Sequence, residues 1–153
     1  MKKKLITTTH TPTETEKLGY KIGKTLQGSE IIELISDIGG GKTTLVRGIV
    51  SGAGSQDAVA SPTFTISKTY KANRLTLVHF DFYRLQDPGI ISNELEEYLQ
   101  EKDTAVLIEW PKIINDFLPQ KKLRISIEAI DENVRKFHFE CPKQLEYIIK
   151  DLV

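Results

Sequence analysis

Ile31-Ile32-Glu33-Leu34-Ile35-Ser36-Asp37-Ile38-Gly39-Gly40-Gly41-Lys42-Thr43-Thr44 decides how the rest of this chain is read. An apolar run stops at a glycine-rich turn, and Leu45-Val46-Arg47-Gly48-Ile49-Val50 continues as a helix former. Strand, glycine loop and helix form the context in which backbone amides wrap a phosphate and a helix N-terminus faces it. In that arrangement Lys42 reaches the β- and γ-phosphates and the Thr43 hydroxyl sits on Mg2+. Asp37, Ile38, Gly39, Gly40, Gly41 and Thr44 complete the loop expected to cradle a nucleotide. The general pattern G-x-x-x-x-G-K-S/T carries a glycine where this chain has Ser36.

Working outward from the loop, the chain alternates between strand and helix patterns. Lys4 to Thr8 reads as a short strand, and Thr13 to Leu26 as a helix. Thr13 would be its N-cap with Glu16 at capping-box spacing, and Leu18, Ile22 and Leu26 would share one face. The loop helix is expected over Thr43 to Ala53, closed by Gly52 and Gly54. Thr65 to Tyr70 and Leu75 to Phe82 read as a hairpin around Ala72-Asn73, and Pro88 to Leu99 as a helix. Ala105 to Ile108 is fully apolar and suits the centre of a sheet. Leu123 to Ile130 and Val134 to Phe139 alternate around Asp131-Glu132-Asn133 as a second hairpin, and Leu145 to Leu152 suits a terminal helix. The expected fold is α/β: a P-loop NTPase-like mixed sheet flanked by helices, with antiparallel hairpins, in one domain spanning residues 1–153.

Bulk properties exclude several alternatives. Lys and Arg number 21 and Asp and Glu number 21, so no net positive field draws the chain to nucleic acid. This balance suits a protein that docks on proteins. The Lys2-Lys3-Lys4 run reads as a solvated end. Leu5-Ile6 is followed at once by Thr7-Thr8-Thr9-His10, so no signal-peptide core forms, and no apolar run reaches membrane-spanning length. Cys141, the single cysteine, has no internal disulfide partner and reads as a small buried hydrophobe, which fits a cytoplasmic protein away from membranes.

Phosphoryl chemistry at the loop needs carboxylates for the metal and the attacking water. Two stand at strand ends: Asp81 in Val78-His79-Phe80-Asp81-Phe82-Tyr83-Arg84-Leu85, and Glu109 in Val106-Leu107-Ile108-Glu109-Trp110-Pro111. Carboxyl ends of strands face the ligand crevice of open α/β sheets. Ser61-Pro62-Thr63 follows the loop helix where a hydroxyl could sense the γ-phosphate, and Tyr83 and Arg84 are candidate phosphate or partner contacts. Trp110 stacks on a base or simply packs. His79 shows no partner spacing for a metal. Arg135 would reach a phosphate or ribose if the second hairpin lies beside the loop.

Together these ordered motifs resemble the TsaE family, the small P-loop ATPases of bacterial tRNA threonylcarbamoyladenosine synthesis. The family loop G-D-L-G-A-G-K-T-T stands here as Ser36-Asp37-Ile38-Gly39-Gly40-Gly41-Lys42-Thr43-Thr44. Its S-P-T-F/Y-T stands as Ser61-Pro62-Thr63-Phe64-Thr65, its H-F/L-D-x-Y-R-L as His79 to Leu85, and its E-W as Glu109-Trp110. Its T-x-x-x-G helix stands as Thr15-Glu16-Lys17-Leu18-Gly19. Ser36 replaces the first glycine, and Gly40 replaces an alanine, which is expected to add flexibility. The resemblance implies ATP and Mg2+ as cofactors. Lys42 and Thr43 would bind phosphate and metal, Glu109 would be the second protein ligand of the metal, and Asp81 would be needed for hydrolysis. It also implies that Thr11 to Thr13 lie near the adenine and that Arg135 contacts the nucleotide. The implied partners are TsaD and TsaB, with tRNA met only through them, and the threonylcarbamoyl group is not transferred by this chain itself.

Two other functions compete. A small-molecule kinase would show an arginine-rich lid, whereas Arg84 and Arg124 are isolated in the sequence. A GTP switch would carry N-K-x-D and D-x-x-G, and Asp81-Phe82-Tyr83-Arg84 supplies no such glycine.

Overall fold

The computed structural model describes residues 2–37, 40–59, 66–83, 85–87 and 89–152. Ile38, Gly39, the Ser61-Pro62-Thr63 loop and Arg84 lie outside the described residues.

Among the described residues seven strands form one sheet: β1 (Lys3–Thr9), β2 (Ile31–Ile35), β3 (Ser67–Lys71), β4 (Thr76–Asp81), β5 (Thr104–Glu109), β6 (Leu123–Ala129) and β7 (Arg135–Cys141). Their order is β1-β7-β6-β2-β5-β4-β3. β6, β2, β5 and β4 run parallel, and β7, β1 and β3 add antiparallel edges. The near-continuous apolar runs of β2 and β5 occupy the middle, because a strand covered on both faces has no use for alternation. The more polar β1 alternates at an edge.

Helices α1 (Pro12–Thr25) and α2 (Lys42–Gly52) cover one face. Leu18, Ile22, Leu45, Val46 and Ile49 bury there against Ile32, Leu34, Leu107, Ile125 and Phe137. Each such side chain contributes about 1.5–3 kcal/mol by leaving water. Helix α3 (Gly89–Gln100) covers the other face through Ile91 and Leu95, which pack with Val78, Phe80, Val106 and Ile108. Also buried on that side of β2 is Glu33, compensated by Lys122 at 3.4 Å and Arg124 at 3.3 Å.

The seam between α1 and α2 is made of backbone. Gly19 and Gly23 face Gly48 and Gly52 so closely that a Cβ on Gly23 would stand 2.8 Å from Ala53 N, and one on Gly48 would stand 2.9 Å from the Glu16 carbonyl carbon. Only glycine permits that approach. Gly52, the last residue of α2, thus serves the seam as well as the helix end. Closure falls to Gly54, whose φ of +97° places it in the left-handed region.

Helix α1 starts two residues earlier than its sequence pattern suggested. Thr11 is the N-cap, its hydroxyl accepting from Glu14 N at 3.1 Å, and Pro12 takes the first turn. Proline's fixed φ and missing N–H favour that position, which outweighs the alternative cap at Thr13. The terminal helix is a 3-10 segment, Lys143–Ile148, closed by i to i+3 bonds such as Leu145 N to Pro142 O at 3.0 Å. Six residues after a proline are too few to nucleate an α-helix independently. This segment docks through Tyr147, whose hydroxyl donates to Glu30 Oε2 at 2.6 Å. Burial and that carboxylate push the Tyr147 phenol up from its ordinary value. Cys141 is buried in the main core, and burial first, then the Glu146 charge, raise its thiol to about 11, so it is protonated and unreactive near neutrality. Among the described residues no helix is long and apolar enough to cross a membrane.

Candidate functional site at the carboxyl edge of the sheet

Strand register builds the site. Leu34 of β2 pairs with Glu109 of β5, and Glu109 pairs with Asp81 of β4, so the glycine loop and both carboxylates leave the sheet along one edge. Asp81 and Glu109 are each the last residue of a strand, and two residues earlier Leu77-to-His79 and Leu107 alternation places them on the face that α1 and α2 cover. Lys42 opens α2 and is buried beside them, 7% exposed.

The Lys42 ammonium is enclosed. It donates to Ser36 O at 3.3 Å, Ser36 Oγ at 3.1 Å and Asp37 O at 3.4 Å, and lies 3.8 Å from Glu109 Oε1. Trp110 offers its ring 4.7 Å away. Trp110 itself sits at φ +57°, in the left-handed region that bulky residues rarely adopt, and Tyr83 packs on it at 4.9 Å between centroids. Burial lowers the Lys42 pKa from its ordinary value, and the attraction of Glu109, Asp81 and Asp37 only partly offsets this.

Glu109 is fixed from its other side. His79 Nε2 lies 2.6 Å from Glu109 Oε2, both side chains being buried. His79, which shows no metal-ligand spacing in the sequence, finds this carboxylate across 30 residues through the β4–β5 register. Asp81 Oδ1 accepts from Tyr83 N at 3.0 Å, which turns the chain as it leaves β4.

The second hairpin does lie beside the loop. Arg135 Nε donates to Gly40 O at 3.0 Å, while its Nη1 binds the carbonyls of Asp131, Glu132 and Val134. A small cleft there is lined by Pro12, Thr15, Gly41, Thr44, Glu132 and Arg135. Thr11 caps α1 and Thr13 is exposed, while Pro12 between them and Thr15 line the cleft. Thr43 and Thr44 are half-buried in the first turn of α2. On the far side of Ser36 and Trp110, a cavity of about 480 Å3 is lined also by Glu33, Lys112 and Arg124. Arg124, isolated in the sequence, is thus the neighbour of buried Glu33.

A mixed sheet with a glycine loop at the carboxyl edge, a helix-opening lysine and two strand-end carboxylates defines the P-loop class of α/β folds. The family model of "Threonylcarbamoyl adenosine biosynthesis protein TsaE" matches residues 9–137. The tRNA threonylcarbamoyladenosine biosynthesis protein TsaE of Rickettsia conorii is 37% identical over 124 residues, covering 80% of this chain and 70% of that protein. Its namesake in Bacillus subtilis is 34% identical over 128 residues, covering 84% of this chain and 80% of that one. The crystal structure of Bacillus subtilis YdiB superposes with a TM-score of 0.83 at 30% identity, covering 99% of this chain and 95% of the other. The chain belongs to the TsaE family.

Proposed function

We propose that this chain is a magnesium-dependent ATPase that supports formation of N6-threonylcarbamoyladenosine in tRNA by acting on a TsaB–TsaD complex, without transferring the threonylcarbamoyl group itself. The observation that carries the reading is the Lys42 ammonium, buried at the opening of α2 and 3.8 Å from Glu109, with Asp81 and Asp37 also acting on it. Phosphate oxygens would accept from that ammonium, and a divalent cation beside them would offset the carboxylates. Family membership supplies the pathway.

The donor set supports the cofactor. Among the described residues no three His, Cys, Asp or Glu side chains gather into a self-sufficient metal site. Magnesium commonly takes one or two protein oxygens and completes its shell with phosphate and water. Thr43 and Glu109 would hold it, and it would supply neutralisation of charge on the phosphates. Lys42 would bind the β- and γ-phosphates in a dry setting where its charge counts for more than in water. His79 keeps the Glu109 carboxylate in one orientation. Asp81 would orient the attacking water. Asp37, Ile38, Gly39, Gly40, Gly41 and Thr44 would wrap the phosphates, and Arg135, with the start of α1, would border the nucleoside side. Turnover by the chain alone would be slow, since a solitary P-loop domain gains most when a partner adds a stimulating group.

The test is ATP hydrolysis by this chain alone, with TsaB and TsaD, and with both plus tRNA. Stimulation by the pair is expected. Equal rates with and without the pair would contradict the partner assignment, and loss of a substrate hydroxyl matched to ATP consumption would favour a kinase.

A further inference from the structure

Two glycines of the loop are glycine for different reasons. Gly41 has φ +101°, so its backbone requires the residue, while a Cβ there would find its nearest neighbour, Arg135 Nε, at an ordinary 3.5 Å. Gly40 is the reverse. Its φ lies outside the left-handed region, so the backbone would admit a side chain. Space would not: a Cβ on Gly40 would collide with Ser36 Oγ, stand 2.8 Å from Ser36 Cβ and 3.0 Å from Asp37 O. Rotating the hydroxyl away would relieve the first conflict and leave the second, because Cβ is fixed by the backbone.

Ser36 uses the room it takes. Its hydroxyl donates to Asp37 O at 2.8 Å and accepts from Lys42 Nζ at 3.1 Å, and its carbonyl accepts from the same ammonium at 3.3 Å. Asp37 O also accepts from Gly40 N at 3.1 Å, which pins the turn that brings residue 40 against residue 36. The residue standing in place of the general motif's first glycine is therefore built into the loop as a third oxygen for the lysine, not merely tolerated there.

We propose that Ser36 is a positioning residue for Lys42 and that positions 36 and 40 share space for a single side chain, so that Gly40 is required because residue 36 is a serine. This deepens the nucleotide-binding reading of the same loop and rests on it for its binding readout only.

The test is a cycle of wild type, Gly40→Ala, Ser36→Gly and the double variant, with Ser36→Ala as a fifth protein. Each is read by its ligand-free thermal midpoint and by its Kd for magnesium-ATP. Gly40→Ala alone is expected to lower the midpoint by roughly 3–10 °C, the range for overpacking in a chain of this size, and to weaken binding about tenfold. In the Ser36→Gly background the same change is expected to cost under about 2 °C and less than about twofold, a coupling typical of residues in contact. Ser36→Ala, which removes only the hydroxyl, is expected to weaken binding about threefold with a midpoint near the wild type, an effect that a space-filling role would not produce. An equal Gly40→Ala penalty in both backgrounds overturns the shared space. Unchanged affinity in Ser36→Ala overturns the positioning role. If wild type and variants alike ignore magnesium-ATP while the midpoints still couple, the nucleotide reading fails together with the positioning role, and the shared space alone stands.

Discussion

The α1–α2 seam and the strand-end cluster lie a few residues apart on the same helix, yet are built by opposite means. In the seam Gly19, Gly23, Gly48 and Gly52 bring backbone against backbone, with no charge and no room. In the cluster Lys42, Glu109, His79 and Asp81 hold buried polar groups that the apolar core does not need. The seam contributes stability by dispersion and exclusion of water. The cluster costs stability, since burial disfavours the Lys42 charge more than its neighbours restore it. The seam also seats α2, whose first turn carries Lys42, directly on α1.

Substitutions should separate the two regions. The largest effect expected is on binding: Lys42→Met should reduce magnesium-ATP affinity by roughly 100-fold or more, the scale for losing a preorganised charge donor, while moving the thermal midpoint little. Titration calorimetry and thermal melting of the same samples check both halves. Asp81→Ala and Glu109→Ala should divide the cluster further. Glu109→Ala should weaken magnesium-dependent binding, whereas Asp81→Ala should bind nucleotide and lower partner-stimulated turnover by about 100-fold, read by phosphate release.

Gly48→Ala should do the converse. Its Cβ would enter the Glu16 carbonyl, and the helices would have to separate. A loss of about 1–3 kcal/mol, or roughly 2–10 °C, is expected, with nucleotide affinity of the folded protein close to wild type. Thermal melting with and without magnesium-ATP measures it.

A pH series sharpens the contrast. The Lys42 value lies below 10.5 in the folded chain, so between the two values the unfolded chain binds more protons. Stability relative to Lys42→Met should therefore rise with pH across that window, and the native state should bear the full penalty below it. Urea midpoints of the two proteins at increasing pH should diverge in favour of the wild type; parallel curves would show that the buried ammonium carries no net cost. The smallest effect expected is for Tyr147→Phe, which loses one hydrogen bond to Glu30 and should cost about 1 kcal/mol without touching binding.

Legibility in the sequence followed the same division. The apolar run Ile31 to Ile35 announced a strand, Ala105 to Ile108 a central one, and the glycine loop between strand and helix announced α2, because these signals are local. The first hairpin and the second were likewise carried by alternation around turns. What depended on two distant segments meeting was not readable. The pairing of His79 with Glu109 needs the β4–β5 register, and the tie from Arg135 to Gly40 spans 95 residues. The seam left a trace, the four-residue spacing of Gly19 with Gly23 and of Gly48 with Gly52, but Gly52 also ends α2, so its place at the helix end hid its part in the seam. Thr11 displaced Thr13 as cap because Pro12 fixes the first turn. That a Cβ on Gly40 would stand 2.8 Å from Ser36 Cβ likewise depends on how the loop folds back on itself and could not be read from the motif.

Calorimetric titration of ATP into the wild-type chain and into Lys42→Met, each with and without magnesium, tests the site most directly. Saturable binding by the wild type that tightens with magnesium, and its disappearance in Lys42→Met, is the expected result. Equal binding by the two proteins, or none by the wild type under either condition, would contradict the assignment of this edge of the sheet as a magnesium-nucleotide site.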